Sequence, residues 1–201
     1  MENQKEEKNN NNKSKVIAIV NKEEIVQSEL DSYAHQIAVI QKVSLPEKET
    51  EERKKFDKQA LDQIINNILL YQDAKEQGIN MSKEEIDSQY YIITGQVGGE
   101  EKLNEVLQKT GMTEEHLRKD LERQNIIEKY FDFVKEKNEI AVNEEEIKDF
   151  YNKEVAPRHP DIKIEKVESQ IRQKIERQKL LNPILEILKN LRQEAEIKVL
   201  L

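Results

Sequence analysis

Residues 183–201 constrain the fold more than any other part of this chain. Apolar side chains first recur there at intervals of three and four, which predicts one helical face; they are Ile184, Leu185, Leu188, Leu191 and Ala195. The segment EIKVL at 196–200 then alternates with a period of two, as a strand does. A lone strand leaves its backbone N–H and C=O groups unpaired, so it needs a partner. The only other clear strand signal is VIAIV at 16–20, and we predict that these two ends pair.

Between the two strands the sequence predicts helices. Charged residues make up 37% of the chain and aromatic residues only 5%, a composition that favours long helices with one solvated face. Apolar periodicity and end signals predict helices over 29–43, 47–77, 82–97, 100–110, 113–136 and 166–181, with a short one after 143 and an irregular or extended segment at 155–165. Pro183 either kinks the last helix or restarts it. The predicted fold class is mainly α, with one small sheet.

Capping residues support these boundaries. Ser82 and Asn143 each precede a glutamate by three positions, which is the capping-box spacing, and Ser28 with Asp31 is close to it. Thr113 is also predicted to cap the helix that follows it. Gly78 is placed to end a helix in a left-handed conformation. In the first helix the predicted inward face is Leu30, Tyr33, Ala34, Ile37 and Ile40.

The domain organisation follows from the two ends. Residues 2–15 contain no apolar side chain, so 1–15 is predicted to be a disordered polar tether. Residues 16–201 are predicted to form one helical domain, in which the part at 16–154 is completed by the returning helix and strand at 166–201. The sequence alone leaves two explanations for the start: a cytoplasmic protein with a frayed terminus, or an exported one whose signal has been removed.

Composition excludes several function classes. The net charge is −8, and basic residues are interspersed with acidic ones along the chain, which argues against a nucleic-acid partner. Because there is no cysteine, disulfides and thiolate chemistry are excluded. No apolar run approaches the eighteen or so residues of a membrane span. The histidines, His35, His116 and His159, sit on different predicted elements, so no catalytic residue, metal site or cofactor is predicted.

Four segments, in this order, resemble a known family. They are VIAIVNKEEI at 16–25 before SELD at 28–31, LLYQDAKEQGI at 69–79 before SKEEI at 82–86, RKDL at 118–121, and VNEEEIKDFY at 142–151. Together they resemble the SurA and PrsA type of exported chaperone, whose N-terminal domain is also similar to the arms of trigger factor. In that family one or more parvulin prolyl-isomerase domains usually follow the helix that here contains Phe150 and Tyr151. The bridge at 155–165 is far shorter than the roughly 50 residues of a small domain, so no isomerase activity is expected.

The resemblance implies an ATP-independent holdase that binds unfolded or nascent exported polypeptides in an apolar cradle. The candidates for peptide binding lie on two helices: Tyr91, Ile92, Ile126 and Phe133 lie off the main packing stripes, and Tyr130 lies on the main apolar face of the later helix. The competing interpretation is that all of these are core, because apolar periodicity indicates burial without naming the partner.

A rival function is an assembly module that buries its apolar faces in a homodimer or against one defined protein. The expected location is extracytoplasmic, periplasmic or at the cell surface, with membrane contact only through an anchor upstream of this sequence; a cytoplasmic location is the alternative.

Overall fold

A computed structural model describes residues 15–110 and 112–200 of the protein. The predicted tether at 1–15 lies outside this part of the chain except for Lys15, which is exposed. The described chain is mainly helical, with one three-stranded antiparallel sheet.

The two ends of the described chain pair, as predicted. Strand β1 is Val16–Val20, β2 is Glu23–Val26 and β3 is Ile197–Val199, in the order β2-β1-β3. In the β1–β3 ladder Ala18 lies opposite Val199 and Val20 opposite Ile197. The ladder is extended at both ends by hydrogen bonds of 2.8 Å, from the Asn21 amide to the Glu196 carbonyl and from the Leu200 amide to the Ile17 carbonyl.

Strand β2 was not predicted as a strand. Its sequence, EEIV, is short and carries two glutamates, which resembles a turn leaving β1. It lies at an edge of the sheet, where charged side chains can face solvent while Ile25 is fully buried. Tertiary pairing with β1 therefore overrides a weak local signal.

Seven helices lie within the described residues. They are α1 Gln27–Gln41, α2 Glu51–Glu76, α3 Lys83–Val97, α4 Glu100–Thr110, α5 Glu114–Lys137, α6 Glu144–Phe150 and α7 Glu168–Glu194. Helix α7 continues through Pro183, so the proline neither ends nor restarts it. A π-helical turn at Tyr151–Val155 and a 3-10 turn at Ile164–Lys166 lie between α6 and α7, overlapping the two ends of the segment predicted to be irregular at 155–165.

The capping predictions are confirmed at three of four sites. Ser82 and Asn143 each form a full capping box with the glutamate three residues on, and Thr113 Oγ1 accepts the His116 amide. The prediction for Ser28 was wrong, because α1 begins at Gln27, one residue earlier, and Val26 is the cap position without a side-chain bond.

The described chain divides into two compact units, and the boundary falls inside α2 between Ile68 and Leu69. Unit 1 contains residues up to Ile68 together with Glu194 onward, and so holds the sheet, α1 and the first part of α2. Its buried apolar side chains are Ile17, Ala18, Val20, Ile25, Leu30, Ala34, Ile37, Ala38, Ala60, Leu61, Ile64, Ile65 and Ile68. Ile40 was predicted to face inward but is 78% exposed in the last turn of α1.

Unit 2 spans Leu69–Gln193 and contains three apolar clusters. The first joins the end of α2 with α5 and α7: Leu70, Ala74, Ile126, Ile127, Tyr130, Val134, Ile184 and Leu188. The second joins α3, α4 and α5: Tyr90, Leu103, Leu107 and Leu121. The third joins α6 and α7: Val142, Ile147, Ile171 and Ile175. The first cluster joins helices that are distant in sequence, whereas the second joins three consecutive helices.

The bridge between α6 and α7 is anchored to this third cluster. Phe150, Tyr151, Val155, Ile164 and Val167 pack against it. The Tyr151 hydroxyl donates a hydrogen bond of 2.6 Å to the Ile162 carbonyl, which ties the two ends of the bridge together. The segment is thus irregular in backbone but fixed in position.

Candidate functional site

The five predicted peptide-binding residues divide into exposed and buried ones. On α3, Tyr91 is 67% exposed and Ile92 is 48% exposed. On α5, Ile126 is fully buried and Tyr130 is 2% exposed, and both belong to the first cluster of unit 2. Phe133 is half-buried and stacks on Tyr130, with 6.1 Å between ring centroids.

The interpretation of Ile126 and Tyr130 is therefore corrected to core packing. Helix α5 is wedged between α7 and the end of α2, so more than one of its faces is covered. The Tyr130 hydroxyl also donates a short hydrogen bond to the Asp73 carboxylate at the end of α2. Burial and this bond raise the pKa of Tyr130 above its usual value and keep the phenol protonated.

Helix α3 presents Tyr91 and Ile92 from a firmly fixed start. The Ser82 hydroxyl accepts the Glu85 amide, and the Glu85 carboxylate accepts the Ser82 amide at 2.7 Å. Glu85 also pairs with Lys129 of α5 at 2.6 Å. The bond from Lys129, followed by that from the Ser82 amide, lowers the pKa of Glu85, so this carboxylate stays charged near neutral pH.

A second contact holds the middle of α3. The Arg118 guanidinium of α5 lies 4.2 Å from the ring centroid of buried Tyr90, a cation–π distance. The same guanidinium donates to Asp87 at 2.6 Å and to Glu114 at 2.7 Å. These bonds, the one to Glu114 first, raise the pKa of Arg118. Since Tyr90 is held inward, its neighbours Tyr91 and Ile92 are directed to solvent.

The exposed side of α3 forms a shallow, open depression. It is lined by Glu84, Asp87, Ser88, Tyr91 and Ile92, and we call these five residues the α3 surface. They recur at intervals of three and four, so they lie on one helical face. The face combines an aromatic ring and a branched aliphatic side chain with two carboxylates, which suits an amphipathic segment of polypeptide better than a small polar ligand.

Other apolar side chains are also exposed, and sequence reasoning missed them as surface residues. Leu181 and Leu185 lie one turn apart on α7 and are 55% and 52% exposed. Leu185 belongs to the apolar helical face predicted from residues 183–195, and Val106 of α4 is 45% exposed. The remaining exposed apolar residues are Val39, Ile40 and Val43 near the end of α1, Met112, and Val199 with Leu200 at the C-terminal strand. Periodicity identifies the apolar face of a helix, but it does not show which residues at the edge of that face remain exposed to solvent.

The described residues offer no group of three metal-ligating side chains, and the three histidines are exposed. No helix in that part of the chain is long and apolar enough to cross a membrane.

Comparison with known families decides the assignment. The family of the SurA-like N-terminal domain matches residues 4–131, which is more than half of the chain. The chain belongs to the SurA-like N-terminal domain family. A search of curated proteins found no match. Among solved structures, a match with 14% identity and a TM-score of 0.45 covers 92% of this chain and 98% of the other. It comes from work describing the virulence factor PEB4 and the periplasmic protein Cj1289 of Campylobacter jejuni as two structurally related SurA-like chaperones.

Proposed function

We propose that this SurA-like protein is an ATP-independent holdase, which binds unfolded or nascent exported polypeptides and so slows their aggregation. The observation that carries the proposal is the α3 surface, where Tyr91 and Ile92 remain exposed beside an open depression. Large exposed apolar side chains grouped in a concave region are typical of protein-interaction sites.

The size of the α3 surface favours weak, reversible binding. Complete burial of an aromatic or branched aliphatic side chain contributes roughly 1.5–3 kcal/mol. Two such side chains contribute about 3–6 kcal/mol together, which offsets only the lower end of an association cost of about 4–15 kcal/mol, so stable binding requires several client residues to engage the protein together. A client would therefore dissociate when its own folding competes for the same side chains, and no nucleotide is needed for release.

In this proposal the protein is not an enzyme. The family's isomerase domains usually follow the helix equivalent to α6, and here residues 151–167 connect α6 directly to α7. That segment is well below the roughly 50 residues of a small domain. Its packing against the third cluster of unit 2 suits a structural connection.

The proposed location is extracytoplasmic, at the periplasm or cell surface. Family membership supports this assignment. Fractionation of cells that express the protein from its natural gene tests it; recovery in the cytoplasm alone would contradict it.

An aggregation assay tests the function. Light scattering of a thermally unfolded test protein should rise more slowly in the presence of a near-stoichiometric amount of this chain, without nucleotide. A double variant, Tyr91→Ser with Ile92→Ser, should lose much of that effect because it makes the α3 surface polar. Circular dichroism should show both proteins folded, since both side chains are exposed. No suppression by the folded wild-type protein would overturn the proposal.

Leu181 and Leu185 favour a second candidate function. Two exposed leucines one turn apart on α7 offer a helix face on which a second copy could pack, and the protein would then be an assembly module. Sedimentation over a concentration series, with the variant Leu181→Ser with Leu185→Ser beside wild type, separates the two functions. Assembly would be favoured over the holdase if wild type forms a tight dimer that added unfolded protein does not change, and if the double variant is monomeric.

A further inference from the structure

The α3 surface is acidic as well as apolar, and this combination suggests which client segments it selects. Glu84 is exposed in the first turn of α3, on the same face as Tyr91 and Ile92. Asp87 lies between them and shares the Arg118 guanidinium with Glu114. Two carboxylates, those of Asp87 and Glu114, thus share one guanidinium, and Glu84 adds a further negative charge to the α3 surface.

Because Arg118 is already paired with other groups, Glu84 can form an ion pair with a basic residue of a client. Arg118 is engaged by Asp87, Glu114 and the Tyr90 ring, so its donors are directed into the α3–α5 contact. Within the described residues, Glu84 has no ion-pair partner. A client segment in the depression would find a carboxylate, Glu84, at one end and the apolar side chains of Tyr91 and Ile92 at the other.

The spacing fits a short stretch of polypeptide. Glu84 and Tyr91 are seven residues, or about two helical turns, apart on α3, a separation of roughly 10 Å. An extended chain rises about 3.3 Å per residue, so a basic side chain and an apolar one within about three positions of each other span that distance.

We infer that the α3 surface selects client segments in which a lysine or arginine lies within about three residues of an aromatic or aliphatic side chain. The apolar side chain would cover Tyr91 and Ile92, and the cation would pair with Glu84. This inference rests on the proposed holdase function and specifies its client class. Basic residues flanking an apolar stretch would be distinguished from acidic or neutral ones by charge complementarity.

Labelled peptides of about twelve residues in a Gly/Ser background test the inference by fluorescence anisotropy. One peptide carries Leu-Phe followed by Lys, the second replaces Lys by Gln, and the third keeps Lys but replaces Leu-Phe by Ser-Ser. Wild-type protein should bind the Lys peptide about threefold more tightly than the Gln peptide. The expected ratio is small because an exposed ion pair contributes little to the free energy of binding. The third should bind weakest, and the preference for Lys should fall at high salt.

Two matched variants locate the effect. Glu84→Gln should abolish the preference for Lys over Gln. Glu145→Gln should keep this preference, although Glu145 occupies the same second position of a capped helix, α6, and is also exposed. Because both variants remove a first-turn carboxylate, they should lose similar helix stability, and thermal unfolding checks this. Glu84→Lys should shift the preference toward a peptide with Glu in place of Lys.

The outcomes separate this inference from the holdase proposal. Equal wild-type affinity for the Lys and Gln peptides, or an equal effect of Glu84→Gln and Glu145→Gln, would overturn the inference, while suppressed aggregation would still support the holdase. If the preference for Lys depends on Glu84 but the protein fails to slow aggregation, the peptide selectivity of the α3 surface is supported and the holdase function is overturned. Failure of both assays would overturn both.

Discussion

Arg53 shows how strongly one side chain can tie unit 1 together. It is a charged residue at only 5% exposure, and its guanidinium bonds Asp31 of α1 at 2.5 Å and Asp57 of α2 at 2.7 Å. Lys48, which is exposed, adds a weaker contact to Asp31 at 3.2 Å. A buried guanidinium requires such partners, because an unpaired charge away from water is costly.

Replacing Arg53 with alanine should therefore destabilise the protein by about 2–4 kcal/mol, since both aspartates lose the guanidinium, Asp31 retains only the contact with exposed Lys48, and the buried stem leaves a void. Arg53→Lys should recover only part of this, because an ammonium cannot bond both carboxylates in the same fork geometry. Urea unfolding followed by circular dichroism measures the difference. The neighbouring variant Lys54→Ala is the control. Lys54 and its partner Glu51 are both exposed, and removing that pair should cost less than about 1 kcal/mol.

Glu146 gives a residue-scale prediction of pH dependence. The Lys179 side chain of α7 bonds its carboxylate at 2.6 Å, and that bond, with one from the Asn143 amide, lowers the pKa of Glu146 below 4.5. A carboxyl group whose pKa is lower in the folded state stabilises the fold at pH values above its unfolded-state pKa. This stabilisation is lost as the pH falls through the folded-state pKa. Glu146→Gln should thus lower the thermal midpoint at pH 7, and its difference from wild type should shrink as the pH falls through the folded-state pKa of Glu146.

Glutamine is the informative replacement because it retains the capping-box geometry and removes only the charge. A double-mutant cycle with Lys179→Met checks the assignment. At pH 7 the two single variants should not be additive, since both break the same pair. A Glu146→Gln difference that stays unchanged as the pH is lowered from 7 through the whole acid titration range of carboxyl groups would show that the charge is not the cause.

Two glycines give a matched test at the scale of elements. Gly95 lies inside α3, where an added Cβ would meet nothing within 4 Å. Gly78 follows α2 with a φ of +80°, and an added Cβ there also meets nothing. Because neither position is crowded, the two differ in backbone conformation alone.

Alanine at these positions should act in opposite directions. Gly95→Ala should stabilise the protein by about 0.5–1 kcal/mol, because alanine loses less conformational freedom in a helix interior. Gly78→Ala should destabilise it by about 1 kcal/mol, because an L side chain is strained in the left-handed region. Chemical denaturation measures both. The same sign for the two substitutions would indicate that the backbone conformations differ from those described.

Elements with strong local signals were predictable from sequence, and those set by tertiary contact were not. Ser82, Thr113 and Asn143 marked helix starts correctly because a cap depends on neighbours only three residues away. Strand β2 was missed because pairing with β1 determines it. Ser28 resembled a cap, yet α1 begins one residue earlier at the end of β2.

The candidate site was predictable only in part for a similar reason. Tyr91 and Ile92 lay off the packing stripe of α3 and are exposed, whereas Ile126 lay off a stripe of α5 and is fully buried. The sequence patterns of the two helices are alike. They differ in neighbours: α7 and the end of α2 cover α5, and these are brought there by the fold. Periodicity reports which residues are apolar and cannot report how many faces of a helix are covered.

At the scale of the whole molecule, the β1–β3 pairing joins segments more than 170 residues apart, and both ends of the ladder belong to unit 1. Unit 1 thus depends on a strand that the chain reaches only after the whole of unit 2. If residues 16–201 act as one cooperative domain, as we propose, weakening β3 should weaken both units. If the two units unfold independently, weakening β3 should destabilise unit 1 alone.

Deleting residues 196–201 distinguishes these cases. Removal of β3 leaves one side of β1 without its partner, so amide hydrogen exchange in β1 and β2 should accelerate by at least tenfold and the thermal midpoint should fall. Cooperative unfolding predicts that amides of α5, in unit 2, accelerate as well. Lys198→Thr is the control, because it alters an exposed side chain and retains a residue that favours strands. Unchanged unfolding after the truncation would contradict the closure of the chain through this sheet, since β1 would then be stable without its partner.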